Sequence, residues 1–332
     1  MRAPPQYRRL ADGRLHLHDG PIDLIIEAFG ACNDVESAYA AAWRRFQTIL
    51  DELCEELALL RAPAGACPRG LTARRMAAAV APFSAEYFIT PMAAVAGAVA
   101  EEVLAAMTDE APLTRAYVNN GGDIALHLAD GEQFSIGMVD RPDRPSLIGS
   151  ARIAASDPVR GIATSGWRGR SFSLGIADAA TILARTAALA DAAATIVANA
   201  VDLPGHPSIT RDSAASRDPQ SDLGERLVTV DVGPLTPEEV TTALAAGVAA
   251  AEHLRRTGLI EAAALNLCGE TRVCGVGTRL YKSEQPLRHG EERSDEATHT
   301  AVRRPRPYGS LPFARNDGVR IQTIGNEPHA VG

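Results

Sequence analysis

The sequence predicts a mixed α/β fold of the α+β kind, in which sheet layers pack against alanine-rich helices. Three observations support this. Apolar residues recur at helical spacing over residues 34–60, short apolar segments between turn residues indicate strands, and Thr236-Pro237-Glu238-Glu239 is typical of a helix start. Hydrophobic residues make up 46% of the 332 residues but aromatics only 5%, which indicates a large core of small, closely packed side chains.

The first part of the chain is predicted to hold two strands and three helices. The two strands lie within residues 14–27 and flank a turn at Asp19-Gly20-Pro21. The helix over residues 34–60 is followed by one at 72–80, which ends before a proline. A third helix, at residues 89–107, has Thr90 as its cap and a proline in its first turn.

The second part is predicted to be rich in strands. These lie at residues 115–118, 124–128, 134–139, 146–154, 171–174, 227–232, 261–267 and 271–276. One broken helix or two helices run through residues 177–200, a polar loop covers 208–226, and a strong helix runs from Thr236 to about residue 256.

Residues 1–280 are expected to form a single domain, and residues 281–332 a disordered tail. The tail is rich in Arg, Glu, His, Pro and Gly and has no sustained hydrophobic period, so it cannot bury enough apolar surface to offset the entropy lost on ordering. Its segments at residues 289–296 and 311–317 resemble translated bacterial intergenic repeats. Our hypothesis is that a repeat element added this tail to the gene.

Composition also excludes several classes of function. The net charge of −8 and the pI of about 5.5 argue against nucleic acid as the main partner. The most apolar stretch, residues 89–107, is interrupted by Glu101 and Glu102, so no membrane span is expected. Five cysteines without CxxC spacing, and no apolar run behind the N-terminus, favour a cytoplasmic protein with reduced thiols. The alanine-rich helices make a homodimer plausible.

Asp191 and Thr195 are the most informative candidates for chemistry. They are four residues apart in an alanine-rich segment, so on a helix a carboxylate and a hydroxyl lie on one face. Both are hard oxygen donors, the kind that Mg²⁺ prefers. The alternative is that Asp191 caps a second helix, and local sequence alone favours that cap.

Two glycine-containing turns accompany this pair. In Ala163-Thr164-Ser165-Gly166, a small-residue turn after a strand can present carbonyls to a cation, or N–H groups and hydroxyls to a phosphate. In Asn119-Asn120-Gly121-Gly122-Asp123, the glycines suit a hairpin turn. Each signal is weak on its own, and ordinary turn structure explains each locally.

The order of these motifs resembles the ApbE superfamily, the FAD:protein FMN transferases. The motifs NxGGD, ATSG and ADAxxT follow one another as they do there, over roughly residues 8–275. The similarity is greater to a shorter branch of the superfamily that is distinct from the true flavin transferases. That branch has a PMAAVAGAxAE helix, here at residues 91–101, and a SFSxGxADA segment, here at residues 171–179.

The resemblance implies a mixed α/β fold with a flavin-nucleotide cleft and a Mg²⁺ ion at the FAD diphosphate. It implies metal ligation by the Ala163 carbonyl, Asp191 and Thr195. It further implies that the NGGD and TSG motifs line the cleft, with cofactor-binding positions at Asn120, Gly121, Gly122, Thr164, Ser165 and Gly166. If the protein is an enzyme, our hypothesis is that Asp178 or Asp123 acts as the base. The partner is then a flavin nucleotide or another small-molecule diphosphate.

The chain departs from the transferase pattern in two places. The stretch at residues 172–178 lacks the histidine of the His-Ile-x-Asp-Pro segment, and the helix at residues 91–101 has no lysine. Three hypotheses therefore stand side by side. The protein is a Mg²⁺-dependent enzyme acting on FAD or a related nucleotide diphosphate, a non-catalytic flavin-nucleotide or metal-binding protein, or a structural or interaction protein with a degenerate site.

Overall fold

The computed structural model describes residues 2–63, 65, 67–139, 147–275, 279–282 and 319–322. Its α-helices are α1 (Cys32–Glu55), α2 (Leu57–Leu60), α3 (Leu71–Val80), α4 (Val95–Glu110), α5 (Ala187–Ala200), α6 (Ala214–Arg217) and α7 (Pro237–Arg256). Its strands are β1 (Gln6–Arg9), β2 (Leu15–Asp19), β3 (Ile22–Phe29), β4 (Arg115–Asn120), β5 (Asp123–Leu128), β6 (Gln133–Val139), β7 (Leu147–Ala154), β8 (Gly161–Ser165), β9 (Ala179–Ala184), β10 (Ile209–Ser213), β11 (Leu227–Val232), β12 (Ala262–Leu267), β13 (Glu270–Cys274), β14 (Arg279–Lys282) and β15 (Val319–Gln322).

Most strands belong to one nine-stranded antiparallel sheet, in the order β1-β2-β3-β4-β5-β8-β9-β12-β13. A second, four-stranded antiparallel sheet has the order β14-β7-β6-β15, and β10 pairs with β11 alone. The fold is therefore mixed α/β with antiparallel sheets, which confirms the predicted fold class.

The two faces of the nine-stranded sheet bury different layers. Ala163 and Ile182 point into the large core formed with the alanine-rich helices α4 and α5. Their neighbours Ile162 and Leu183 point the other way, into a smaller core with Phe134 and other residues of the four-stranded sheet. The central strands are covered on both sides, so their sequences read as continuous apolar runs.

Small residues allow the close approach of α5 to the sheet. A Cβ on Gly161 would overlap the backbone of Thr186, which immediately precedes α5. Thr186 caps this helix, because its side chain accepts a hydrogen bond from the Leu189 N–H. The first turn of α5 is therefore fixed directly against β8.

Two sequence predictions near α5 are wrong. Residues 171–174 form no strand, and residues 177–200 are not helical throughout, because Ala179–Ala184 is strand β9. All six residues of β9 are buried. A strand covered on both faces shows no alternation, and its alanines have high helix propensity, so the tertiary environment overrides the local preference.

Other boundaries differ in smaller ways. Thr90 does not cap the helix that follows it; its hydroxyl instead bonds to the Asp222 carboxylate. Pro91–Ala94 is a 3₁₀ turn that leads into α4. The segment predicted as a polar loop, residues 208–226, contains β10 and α6. The helix predicted from Thr236 is confirmed as α7, complete with a capping box between Thr236 and Glu239.

One helical stretch in the described part of the chain, Pro91–Glu110, is long and apolar enough to cross a membrane by length and composition. More than half of its most apolar window is buried inside the protein, where it packs against α1, α3, α5, β4 and β5. Core helices of globular proteins meet the same criterion.

The predicted tail lies mostly outside the described residues. The short strand β14 spans its start and pairs with β7, and β15 lies within it and pairs with β6. The proposed domain division and the repeat-element origin of the tail remain predictions.

Candidate metal and diphosphate site

Asp191 lies inside α5, in its second turn, and does not cap it. The helix begins at Ala187, and Thr186 is its cap, so the alternative assignment of Asp191 as a cap is wrong. Thr195 lies one helical turn further along, and both side chains are only partly exposed. Asp191 Oδ2 accepts a hydrogen bond of 3.0 Å from the Gly97 N–H. The carboxylate thus lies in the contact between α5 and α4.

Asp123 is the second carboxylate of this region. It is the first residue of β5, and its Oδ1 accepts a hydrogen bond of 3.3 Å from the Thr164 N–H. Burial, and then the negative charge of Asp191, raise the pKa of Asp123 well above its ordinary value. Burial likewise raises the pKa of Asp191 to about 7, although the hydrogen bond from Gly97 opposes the shift. The two carboxylates therefore interact as like charges within one site.

The hairpin turn between β4 and β5 holds Asp123 in place. Gly121 and Gly122 both have positive φ, +67° and +111°, as the tight turns between paired strands require. Asn119 Oδ1 accepts a hydrogen bond of 2.8 Å from the Gly122 N–H. Asn120 Nδ2 donates one of 3.2 Å to the Ala96 carbonyl, just before Gly97. The turn is thereby attached to α4 beside Asp191.

The predicted small-residue turn at residues 163–166 is mainly strand. Ala163 is fully buried in β8, opposite Ile182, and Thr164 Oγ1 lies 2.9 Å from Thr181 Oγ1. Ile162 pairs with Ile124, so Ala163 is next in the ladder, beside Asp123. Ser165 ends the strand, and Gly166 then turns tightly against the Asp178 carbonyl.

Asp178 is placed differently from the two carboxylates of the pair. Its Oδ1 accepts a hydrogen bond of 2.6 Å from Arg168 Nε, and its Oδ2 accepts one of 2.7 Å from the Cys268 N–H. The side chain is buried. Both oxygens are therefore engaged in fixing the segment after β8 to the hairpin between β12 and β13.

Three contributors were missed by the sequence reasoning. A Cβ on Gly97 would lie 2.7 Å from the Ala188 nitrogen, so only glycine fits where α4 meets α5. Glu101 Oε1 accepts a hydrogen bond of 2.7 Å from the Ala188 N–H. The Arg170 guanidinium lies against Gly121, and its positive charge favours the ionised form of Asp123. The small-residue run at residues 93–98 signalled the close approach of α4, but nothing in the local sequence signalled Arg170.

The arrangement offers oxygen donors rather than a cluster of charged ligands. Among the described residues, no group of three or more His, Cys, Asp or Glu side chains is placed to hold a metal ion. Neutral oxygens accompany the two carboxylates on the same elements: the Thr195 hydroxyl is one helical turn from Asp191, and Ala163 lies on the strand beside Asp123. Hard oxygen donors of this kind suit Mg²⁺ better than zinc or copper.

Comparison with known protein families identifies the family of this chain. A family model described as "AbpE bacteria" matches residues 7–273, most of the chain. The chain belongs to this family. The match confirms the predicted ApbE-like assignment, and it covers every residue of the candidate site.

Individual relatives of this AbpE-type chain are similar over shorter lengths. A UPF0280 protein of Methanothrix thermoacetophila is 39% identical over 132 residues, which is 36% of this chain and 48% of the relative. One from Methanoregula boonei is 37% identical over 171 residues, 48% of this chain and 67% of the relative. The chain spans about half the length of the first of these relatives.

Solved structures also match the chain. One of them, a mutant of the flavin transferase ApbE from Vibrio cholerae, aligns over 76% of this chain and 77% of its own, with 15% identity and a TM-score of 0.29.

Proposed function

We propose that this protein is a Mg²⁺-dependent enzyme that acts on FAD or a related nucleotide diphosphate, releasing AMP. The observation that carries the proposal is the pair of carboxylates, Asp123 and Asp191, which lie together in a largely buried site: burial raises the pKa of both, and the charge of Asp191 raises that of Asp123 further. A divalent cation at this position offsets that repulsion.

The residues around this pair include the donor types that a magnesium ion prefers. Asp191 supplies a carboxylate oxygen, Thr195 a hydroxyl one turn along the same helix, and Ala163 a backbone carbonyl on the strand beside Asp123. Mg²⁺ prefers few protein ligands of this hard type and retains water and phosphate oxygens in its other positions. When bound, the ion would neutralise the negative charge that develops on the diphosphate as it is cleaved.

Asp123 is the better placed of the two candidate bases. Burial and the charge of Asp191 raise its pKa, which makes it a stronger base than an ordinary aspartate, and it adjoins the proposed metal ligand Asp191. Asp178 has both oxygens occupied by Arg168 and the Cys268 N–H, so it is suited to holding the loop rather than to accepting a proton. We assign Asp123 the role of taking the proton from the attacking hydroxyl or water.

The flavin part of the proposal rests on family membership and motif order. The stretch at residues 171–178, which lacks the transferase histidine, is tied into the fold: Ser173 Oγ and the Leu174 N–H both donate to Asn199 Oδ1. Because these hydrogen bonds give the stretch a structural role and it lacks the transferase histidine, a second candidate function is favoured, namely binding of the nucleotide without turnover.

One experiment distinguishes the two functions. The full-length protein is incubated with FAD and either MgCl₂ or EDTA, and AMP release is followed chromatographically. Enzyme function predicts release with Mg²⁺ only, and its loss in Asp191→Asn. The matched control is Asp109→Asn, which removes an exposed carboxylate from the last turn of α4 and should keep full activity.

The binding function predicts a different result: no AMP, but a higher melting temperature of the wild type with FAD and Mg²⁺ together. If neither AMP release nor stabilisation is seen, or if Asp109→Asn loses as much activity as Asp191→Asn, the proposal of a Mg²⁺–nucleotide site is wrong.

A further inference from the structure

Arg170 lies at the rim of the carboxylate pair. It belongs to the segment between β8 and β9, and its guanidinium rests directly on the hairpin turn: a Cβ on Gly121 would lie 3.1 Å from Arg170 Cζ and closer still to one of its terminal nitrogens. A side chain at position 121 would displace the guanidinium from this place, and the φ of +67° also favours glycine there. The turn that positions Asp123 therefore also receives the arginine.

Its neighbour Arg168 shows what a structural arginine looks like in this segment. Arg168 donates to the Asp178 carboxylate at 2.6 Å and stacks over the Trp167 ring, 4.2 Å from its centroid. Arg170, by contrast, is exposed, and no carboxylate of the described residues lies within 4.0 Å of its guanidinium. The exposed guanidinium is therefore accessible to a ligand beside the hairpin turn.

The charges of the site determine what Arg170 can bind. A bound divalent cation favours ionisation of both carboxylates, and the cation, the two carboxylates and the guanidinium then carry one net positive charge. An anionic ligand should therefore bind when the cation is present, and Arg170 supplies the charge that makes the occupied site positive.

We infer that Arg170 binds a phosphoryl group of the ligand, next to the phosphoryl group held by the cation, so that the site selects compounds with two adjacent phosphates. This inference rests on the proposed function of the Asp123–Asp191 site. A planar guanidinium matches the oxygens of a phosphate with two parallel hydrogen bonds, which a lysine does not reproduce.

The test uses inorganic pyrophosphate, which carries the diphosphate without nucleoside or flavin. Calorimetric titrations measure the affinity of the full-length protein first for Mg²⁺ alone and then for pyrophosphate in excess Mg²⁺. Arg170→Gln should weaken pyrophosphate binding about 10- to 100-fold, the range for hydrogen bonds to charged groups. It should leave Mg²⁺ affinity unchanged or improved. Arg170→Lys should be intermediate, and Arg256→Gln, an exposed arginine at the end of α7, should behave as wild type.

Three results would overturn the inference. If Arg170→Gln and Arg170→Lys both bind pyrophosphate as tightly as wild type, Arg170 is no ligand contact, while the proposed Mg²⁺ site stands. If both variants lose Mg²⁺ and pyrophosphate affinity together, Arg170 supports the structure of the site. If the wild type binds no Mg²⁺, the proposed function fails and this inference fails with it.

Discussion

Gly97 on α4 lies directly against the backbone of Ala187 on α5, so closely that a Cβ at position 97 would overlap the Ala187 carbonyl. The same glycine donates its N–H to Asp191 Oδ2 at 3.0 Å. One residue thus sets the approach of the two helices and fixes the carboxylate that lies between them. Packing and chemistry at this site are therefore coupled through a position without a side chain.

Replacement of Gly97 by alanine tests that coupling. The added Cβ meets backbone atoms, which cannot move aside as a side chain could, so α4 and α5 must separate. We expect the free energy of unfolding to fall by about 1–3 kcal/mol, the usual cost of overpacking. Mg²⁺ affinity should fall as well, because the hydrogen bond to Asp191 is displaced. Denaturant unfolding and calorimetric Mg²⁺ titration measure the two effects.

Helix propensity makes the opposite prediction for the same change. Glycine to alanine in a helix interior stabilises by about 0.5–1 kcal/mol when nothing is in the way. The reverse change, Ala246→Gly, at an exposed position of α7, should show that ordinary cost. A Gly97→Ala variant that is more stable than wild type would refute the close contact between α4 and α5.

Elements with local signals were predictable from the sequence. The helix from Thr236 has its threonine cap, its proline and its capping-box glutamate, and all act as expected. The hairpin at Gly121 and Gly122 was predictable because positive φ at successive residues favours glycine. These signals depend only on neighbouring residues, so tertiary packing does not alter them.

Strand β9 shows where such reasoning fails. Its six residues, Ala179–Ala184, have no alternation because both faces are covered, and alanine favours helix when nothing else decides. At the site, the Asp191–Thr195 spacing was predictable because it is helical. The contact of Arg170 with Gly121 was not, since the two lie 49 positions apart and are brought together only by the pairing of β4, β5 and β8.

The stability of the protein without metal should fall as pH rises towards neutrality. Asp191 has a folded-state pKa of about 7 against an ordinary value of 3.8, so between these values the folded state binds more protons than the unfolded chain. The loss is on the order of 2 kcal/mol, because partial exposure reduces the roughly 4 kcal/mol that a full shift of this size represents. Melting temperatures from pH 4 to pH 8 in EDTA measure it.

Two comparisons make the pH prediction specific. Asp191→Asn should reduce the fall in this part of the profile, because the substituted side chain does not titrate, while Asp123, whose pKa burial also raises, accounts for the fall that remains. Saturating Mg²⁺ should restore stability at pH 7–8, since a cation favours the ionised carboxylate. A wild-type profile that rises between pH 4 and pH 7 in EDTA would contradict the raised pKa.

Asp178→Asn should affect stability rather than metal binding. The substitution removes the charge that pairs with Arg168 but keeps an oxygen able to accept from the Cys268 N–H. We expect a loss of about 1–3 kcal/mol in the free energy of unfolding, as for a weakened buried charged hydrogen bond. Mg²⁺ affinity, measured by calorimetry, should stay within twofold of wild type. A large loss of AMP release in a fully stable Asp178→Asn protein would instead identify Asp178 as the base.

Thr195 gives the most direct test of which oxygens hold the ion. Thr195→Val keeps the branched shape and removes the hydroxyl, so we expect Mg²⁺ affinity to fall about tenfold, equivalent to about 1.4 kcal/mol. Thr195→Ser keeps the hydroxyl and should bind nearly as wild type. Thr181→Val is the matched control: its hydroxyl bonds to Thr164 on the face of the sheet away from α5, so its loss should lower stability by about 1 kcal/mol without changing Mg²⁺ affinity. Equal Mg²⁺ affinities for the Thr195→Val protein and the wild type would show that the ion is held by the carboxylates and backbone alone.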